Sequence, residues 1–169
     1  MRLNYVPANP TSSNASDQAF LTRLLKSRGK EGLTPLDRAM LHSPPLTRGF
    51  MQFFTAVRGK STLPPDVMEL AMCRVAALNS AAYEWMHHAP LLRDAGVSEE
   101  GLETVRTAPP HARPSSRKGN DSTVQGLSEK MWATIYFVDA MTKDVKVPDE
   151  LFNGVRKFLN DRQVVELGM

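Results

Sequence analysis

One cysteine, Cys73, occurs in the 169 residues. An intrachain disulfide framework, a four-thiolate zinc site and a Cys-x-x-Cys redox pair are therefore excluded within one chain. No apolar run approaches the roughly 18 residues needed to cross a bilayer. The opening segment, MRLNYVPANPTSSNAS, lacks the apolar stretch of a secretory leader, so the expectation is a reducing, cytoplasmic compartment with no membrane partner. Gly-rich phosphate loops and a Ser nucleophile elbow are missing, as are internal repeats. Alternation of period two, the mark of a strand, is also absent.

What is present is ordinary globular composition, 41% hydrophobic and 23% charged, enough for a real core. The net charge of +3 is unevenly placed. Arg106, Arg113, Arg117 and Lys118 lie in a stretch with no acid, and removing those four charges leaves −1. The basicity is thus concentrated between Arg106 and Asn120, a stretch that takes in a Pro-rich loop at 107–120. No helix carries a Lys/Arg stripe with interleaved aromatics, and a nucleic-acid partner is not expected.

Spacing and capping signals predict helices throughout. Residues 1–16 read as an extended arm, and residues 17–169 as a single helical domain. Phe20, Leu21, Leu24 and Leu25 mark a helix that breaks at Gly29. Thr34-Pro35 opens a short helix, and Pro44-Pro45 a third. In the third, Leu46, Phe50, Phe53, Phe54 and Val57 form an apolar stripe expected to be core. Pro64-Pro65 precedes the most apolar helix, to Leu78, and a second runs from about Ala82 to Ala95, closed by Gly96. Ser98-Glu99-Glu100 begins another. Val124 to Asp144 reads as one long helix, and two shorter ones end the chain. The fold class expected is all-α.

The chemistry concentrates in ELAMCRVAALNSAAYEWMHH, Glu69 to His88. Glu69 is an acid inside an apolar helix, where an ionised carboxylate needs a partner, Arg74 or an arginine of another helix being the structural option. Glu84 and His88 are four apart and share a helical face, so the carboxylate can hold the imidazole for acid/base work. His87 points about 100° away. A metal held by Glu84 and His88 is a weaker alternative, since no fuller ligand frame surrounds them. Cys73, among apolar residues, reads as an inert core thiol.

The segment LPPDVMELAMCRVAALNSAAYEWMHHAPLLRDAGVSEEGLETV resembles the core of the carboxymuconolactone decarboxylase family, within the alkylhydroperoxidase D-like superfamily. LTPLDRAMLHSPPLTRGFMQFFTAV before it and VPDELFNGVRKFLNDRQVVEL after it extend the similarity over roughly 33–168. The sequence then stops at Gly168-Met169, where members of this type continue into a further apolar helix. The resemblance implies an alkylhydroperoxidase D-like helical bundle built round a helical hairpin, assembled as a homo-oligomer, a trimer or hexamer. Its peroxidase branch carries a Glu followed by two cysteines and a His at offsets of 12, 15 and 19. Counted from Glu69, those positions hold Ala81, Glu84 and His88. The thiol pair is gone, and thiol peroxidase chemistry with it.

Glu69, Glu84 and His88 then resemble the acid/base set of the decarboxylase branch, with His88 as proton donor, Glu84 as its orienter and Glu69 as second acid/base or structural partner. The expectation is a lyase needing neither metal nor organic cofactor, acting on a small carboxylated lactone or related ring compound. An isomerase or dehydratase on the same scaffold, a non-catalytic oligomer binding a small ligand or partner, and a metal-dependent enzyme are the alternatives.

Overall fold

The computed structural model describes residues 2–113 and 125–169. Among these described residues lie nine α-helices and two short non-α turns, with no strand. The all-α class holds. By compactness the chain forms two units, Met1–Ser61 and Thr62–Met169. None of the helices described is long and apolar enough to cross a membrane. The second half of the basic loop 107–120, from 114 on, and the start expected at Val124 lie outside the described residues.

In the first unit, α1 (Ala15–Arg28) starts where the Asn14 side chain accepts from the Asp17 amide. A short 3₁₀ turn leads to α2 (Pro35–Met40) and then α3 (Pro44–Lys60). Phe20, Leu21, Leu24 and Leu41 form the core, with Val6, Leu33 and Met51 against it. The opening arm is tied down on α2. Arg38 donates to the Val6 carbonyl at 2.8 Å, and the His42 ring meets the Asn4 carbonyl at 2.8 Å.

The stripe expected as core on α3 is not buried. Leu46 is 73% and Phe53 39% exposed, while Thr47 is the helix's buried residue, its hydroxyl bonded to the carbonyls of Met40 and Ser43. Period 3.6 reports that a face is apolar, not that another element covers it. Phe50, Phe53 and Phe54 instead shelter one another, with ring centroids 4.2 and 5.5 Å apart.

Asp37, 1% exposed, joins α1 to α2. It accepts from Arg28 at 2.8 and 2.7 Å and closes a capping box with Thr34. Burial pushes its carboxyl upward, but the bonds from Arg28 and from the Thr34 amide and hydroxyl outweigh that, leaving it below the ordinary value. A carboxylate depressed on folding adds stability that is complete above its unfolded pKa and disappears as pH falls through the folded one. Asp37→Asn is therefore expected to cost about 1–2 kcal/mol at pH 7, less than for a fully buried pair because Arg28 is a third exposed. Thermal melts from pH 7 to 3 check this: the gap between wild type and variant should close at the acid end.

In the second unit α4 (Pro65–Leu78) and α5 (Ala82–Asp94) make a helical hairpin through Asn79–Ala81. It is followed by α6 (Glu99–Thr107), α7 (Glu129–Asp139), α8 (Asp149–Arg156) and α9 (Asp161–Leu167). One core gathers Leu70, Cys73, Leu92, Val105, Leu127, Trp132 and Ile135, among others. A second joins Val67 to Phe137, Val155, Leu159 and Val164. Val67 and Leu70 are fully buried; α4 thus lends one face to each core, which is why its sequence is apolar nearly all round.

The long helix expected from Val124 to Asp144 is shorter at both ends. Leu127 is buried in a loop, Ser128 caps α7 by accepting from the Met131 amide, and Ala140–Asp144 widens into a π turn. The delayed start has a steric cause. Gly126, at φ +73°, lies so close to Gly101 on α6 that a Cβ there would stand 2.3 Å from the Gly101 nitrogen.

Candidate active site

The hairpin brings two of the three sequence candidates into direct contact. Glu69 projects from α4 on the side carrying Leu70 and Cys73, and His88 from α5 between Trp85 and Leu92, which belong to the same core region. That packing fixes the rotation of both helices. His88 Nδ1 and Glu69 Oε2 are 2.6 Å apart, with the two residues 7% and 8% exposed. With Glu69 ionised, the ring nitrogen donates to the carboxylate, a charge-assisted bond.

Glu84 stands on the other side of the ring. Its Oε2 is 3.6 Å from His88 Nε2, an ion-pair distance rather than a hydrogen bond, and its side chain is 48% exposed. The imidazole is thus flanked by a buried carboxylate on Nδ1 and a half-exposed one facing Nε2. The Glu84–His88 hydrogen bond expected from the i,i+4 spacing is not formed; the bonded carboxylate is Glu69, nineteen residues away in sequence.

Arg74, the partner that a structural reading offered Glu69, is engaged elsewhere. Its guanidinium grips Asp139 of α7 through Nε at 2.6 Å and Nη2 at 2.9 Å. It also donates to the carbonyls of Val105, Ala108 and Pro109. Asp139 accepts in addition from the His111 amide. The sequence reading missed Asp139, although it carried the signal that marked Glu69: a lone acid in an apolar run, Tyr136-Phe137-Val138-Asp139-Ala140.

The thiol is unsuited to nucleophilic work. Cys73 is fully buried, and burial, assisted by the charge of Glu69, pushes it up to about 12. His87 is exposed and packs edge-on against Tyr83, centroids 4.4 Å apart, away from His88. Among the described residues no group of three or more His, Cys, Asp or Glu side chains is arranged to hold a metal ion.

Residues 44–109 match the family model for the Carboxymuconolactone decarboxylase family. The match runs from the start of α3 past α6 and contains Glu69, Glu84 and His88; the similarity read at 33–43 and 110–168 lies outside it. The single cysteine agrees with a branch lacking the redox pair. No curated protein and no solved structure matches the chain.

Proposed function

For a chain whose residues 44–109 are those of the carboxymuconolactone decarboxylase family, we propose a cofactor-free, decarboxylase-like lyase in which His88 delivers a proton to carbon. The observation that supports it is the buried 2.6 Å bond from His88 Nδ1 to Glu69. A carboxylate on one ring nitrogen fixes the tautomer and stabilises the imidazolium, so that the proton in play is the one on Nε2. This reading gives the orienting role to Glu69. In the same reading Glu84, half exposed and 3.6 Å from Nε2, exchanges that proton with solvent.

The substrate class is a small carboxylated lactone or related ring compound. Loss of carbon dioxide leaves its electron pair conjugated with the neighbouring carbonyl. The imidazolium then protonates the carbon, and neutral His88 is recharged past Glu84. Assembly as a homo-oligomer, trimer or hexamer, is part of the proposal and is measured by sedimentation. The test of the chemistry is a panel of carboxylated lactones and β-keto acids in heavy water, wild type beside His88→Ala. Carbon dioxide loss with one deuterium gained at carbon, abolished in the folded variant, is the expected result. Deuterium gain without carbon dioxide loss assigns an isomerase instead, and equal turnover in the variant rejects His88 as donor.

A further inference from the structure

The uncovered stripe on α3 has a spacing that a second copy of the same helix can meet. We infer that α3 pairs antiparallel with α3 of another copy of this chain across a twofold axis, Leu46 against the partner's Val57 and Phe50 against the partner's Phe53. The inference rests on the homo-oligomer proposed above, not on its chemistry. Three observations carry it. Thr47 is buried and Met51 packs on the core of the first unit. At about 100° per residue, Leu46, Phe50, Phe53 and Val57 lie roughly a third of a turn away from them. Leu46 and Phe53 are exposed, and Phe50 and Val57 half-buried, so one helix carries bulky apolar side chains outward over about three turns.

Secondly, the flank of that stripe turned away from the core holds Gly49 and Ala56, both exposed. Glycine weakens a helix interior, and a Cβ on Gly49 would meet nothing within 4 Å. Nothing inside the chain requires it to be small, whereas a helix laid along the stripe would. Thirdly, the steps from Leu46 to Val57 are four, three and four, those of a seam whose side chains enter gaps on a facing helix. The series reads the same in both directions. A twofold axis midway between Phe50 and Phe53 therefore matches every position with one of the partner's.

Charge decides the direction. α3 carries Arg48, Arg58 and Lys60 and no acid. Parallel pairing would bring two Arg58–Lys60 ends together, while antiparallel pairing lays each beside the uncharged Pro44–Thr47 end of the other. A twofold contact uses the same patch on both copies and closes on itself. It makes a dimer, or it joins two trimers into a hexamer, and it rules out an isolated trimer.

The experiment is sedimentation of the full chain, with circular dichroism, for wild type, Leu46→Glu, Phe53→Glu and Gln52→Glu, whose residue is exposed on α3 outside the seam. An even-numbered assembly is expected. Its mass should halve in Leu46→Glu and in Phe53→Glu and stay whole in Gln52→Glu. Oxidation of Leu46→Cys/Val57→Cys should then give a covalent dimer that neither single variant gives. The two positions, eleven residues apart, stand about 16 Å from each other along one helix and cannot bridge within a chain. A wild-type trimer, or full mass in both folded Glu variants, overturns the α3 contact and leaves the homo-oligomer standing. A wild-type monomer overturns both, and if it binds phosphatidylserine vesicles through Phe53 the stripe belongs to a lipid surface. Covalent dimers from the single variants reject the antiparallel register.

Discussion

Glu69→Gln is expected to lower turnover of a decarboxylated substrate about a hundredfold or more while the protein stays folded. The amide oxygen can still accept from His88 Nδ1, so the ring keeps a partner at the position that now holds a 2.6 Å bond. What disappears is the negative charge that stabilises the imidazolium, and positioned acid/base groups are worth roughly 10²–10⁴ in rate. The loss should fall on kcat, with KM little changed, because Glu69 is buried behind the ring rather than at the exposed side. Steady-state kinetics beside circular dichroism separate this from unfolding. Cys73→Ala is the matched control: its thiol, pushed up to about 12, has no role in proton transfer, and turnover should persist. A Glu69→Gln enzyme with wild-type kcat would return Glu69 to a structural role.

The largest effect on stability is expected at Arg74. Arg74 and Asp139 are 1% and 0% exposed, and Arg74→Met leaves the Asp139 carboxylate buried without its cation. Breaking such a pair costs about 3–5 kcal/mol, a large part of the roughly 5–15 kcal/mol that holds a domain together. The carbonyls of Val105, Ala108 and Pro109 lose a donor in the same step. Urea unfolding at neutral pH measures the loss. In Arg74→Met/Asp139→Leu both charges are gone, and much of the stability should return, since desolvating the pair cancels most of its attraction. A single variant within about 1 kcal/mol of wild type would mean that the charge is relieved by local opening.

The Asp139 pair also shows where sequence reasoning stopped. An acid in an apolar helix announces that it needs a partner, but not which one. Arg74, five residues from Glu69 on the same helix, was the nearest cation in sequence. Across the bundle it faces α7, sixty-five residues on, and takes Asp139. Glu69 is left to His88.

The sequence alone determined the helices, because proline and hydroxyl caps and 3.6-residue spacing are local properties of the chain. It also determined that no cysteine pair exists, and it singled out Glu69, Glu84 and His88 by residue type and offset. Only the tertiary structure decided which apolar faces are covered, as the exposed Leu46 and Phe53 show. It decided, too, that His88 bonds Glu69 rather than its helical neighbour Glu84. The physical reason is range. Spacing reports which side chains share one helix face, whereas the order of approach across a hairpin is set by the packing of Leu70, Trp85 and Leu92, which fixes how far each helix is turned.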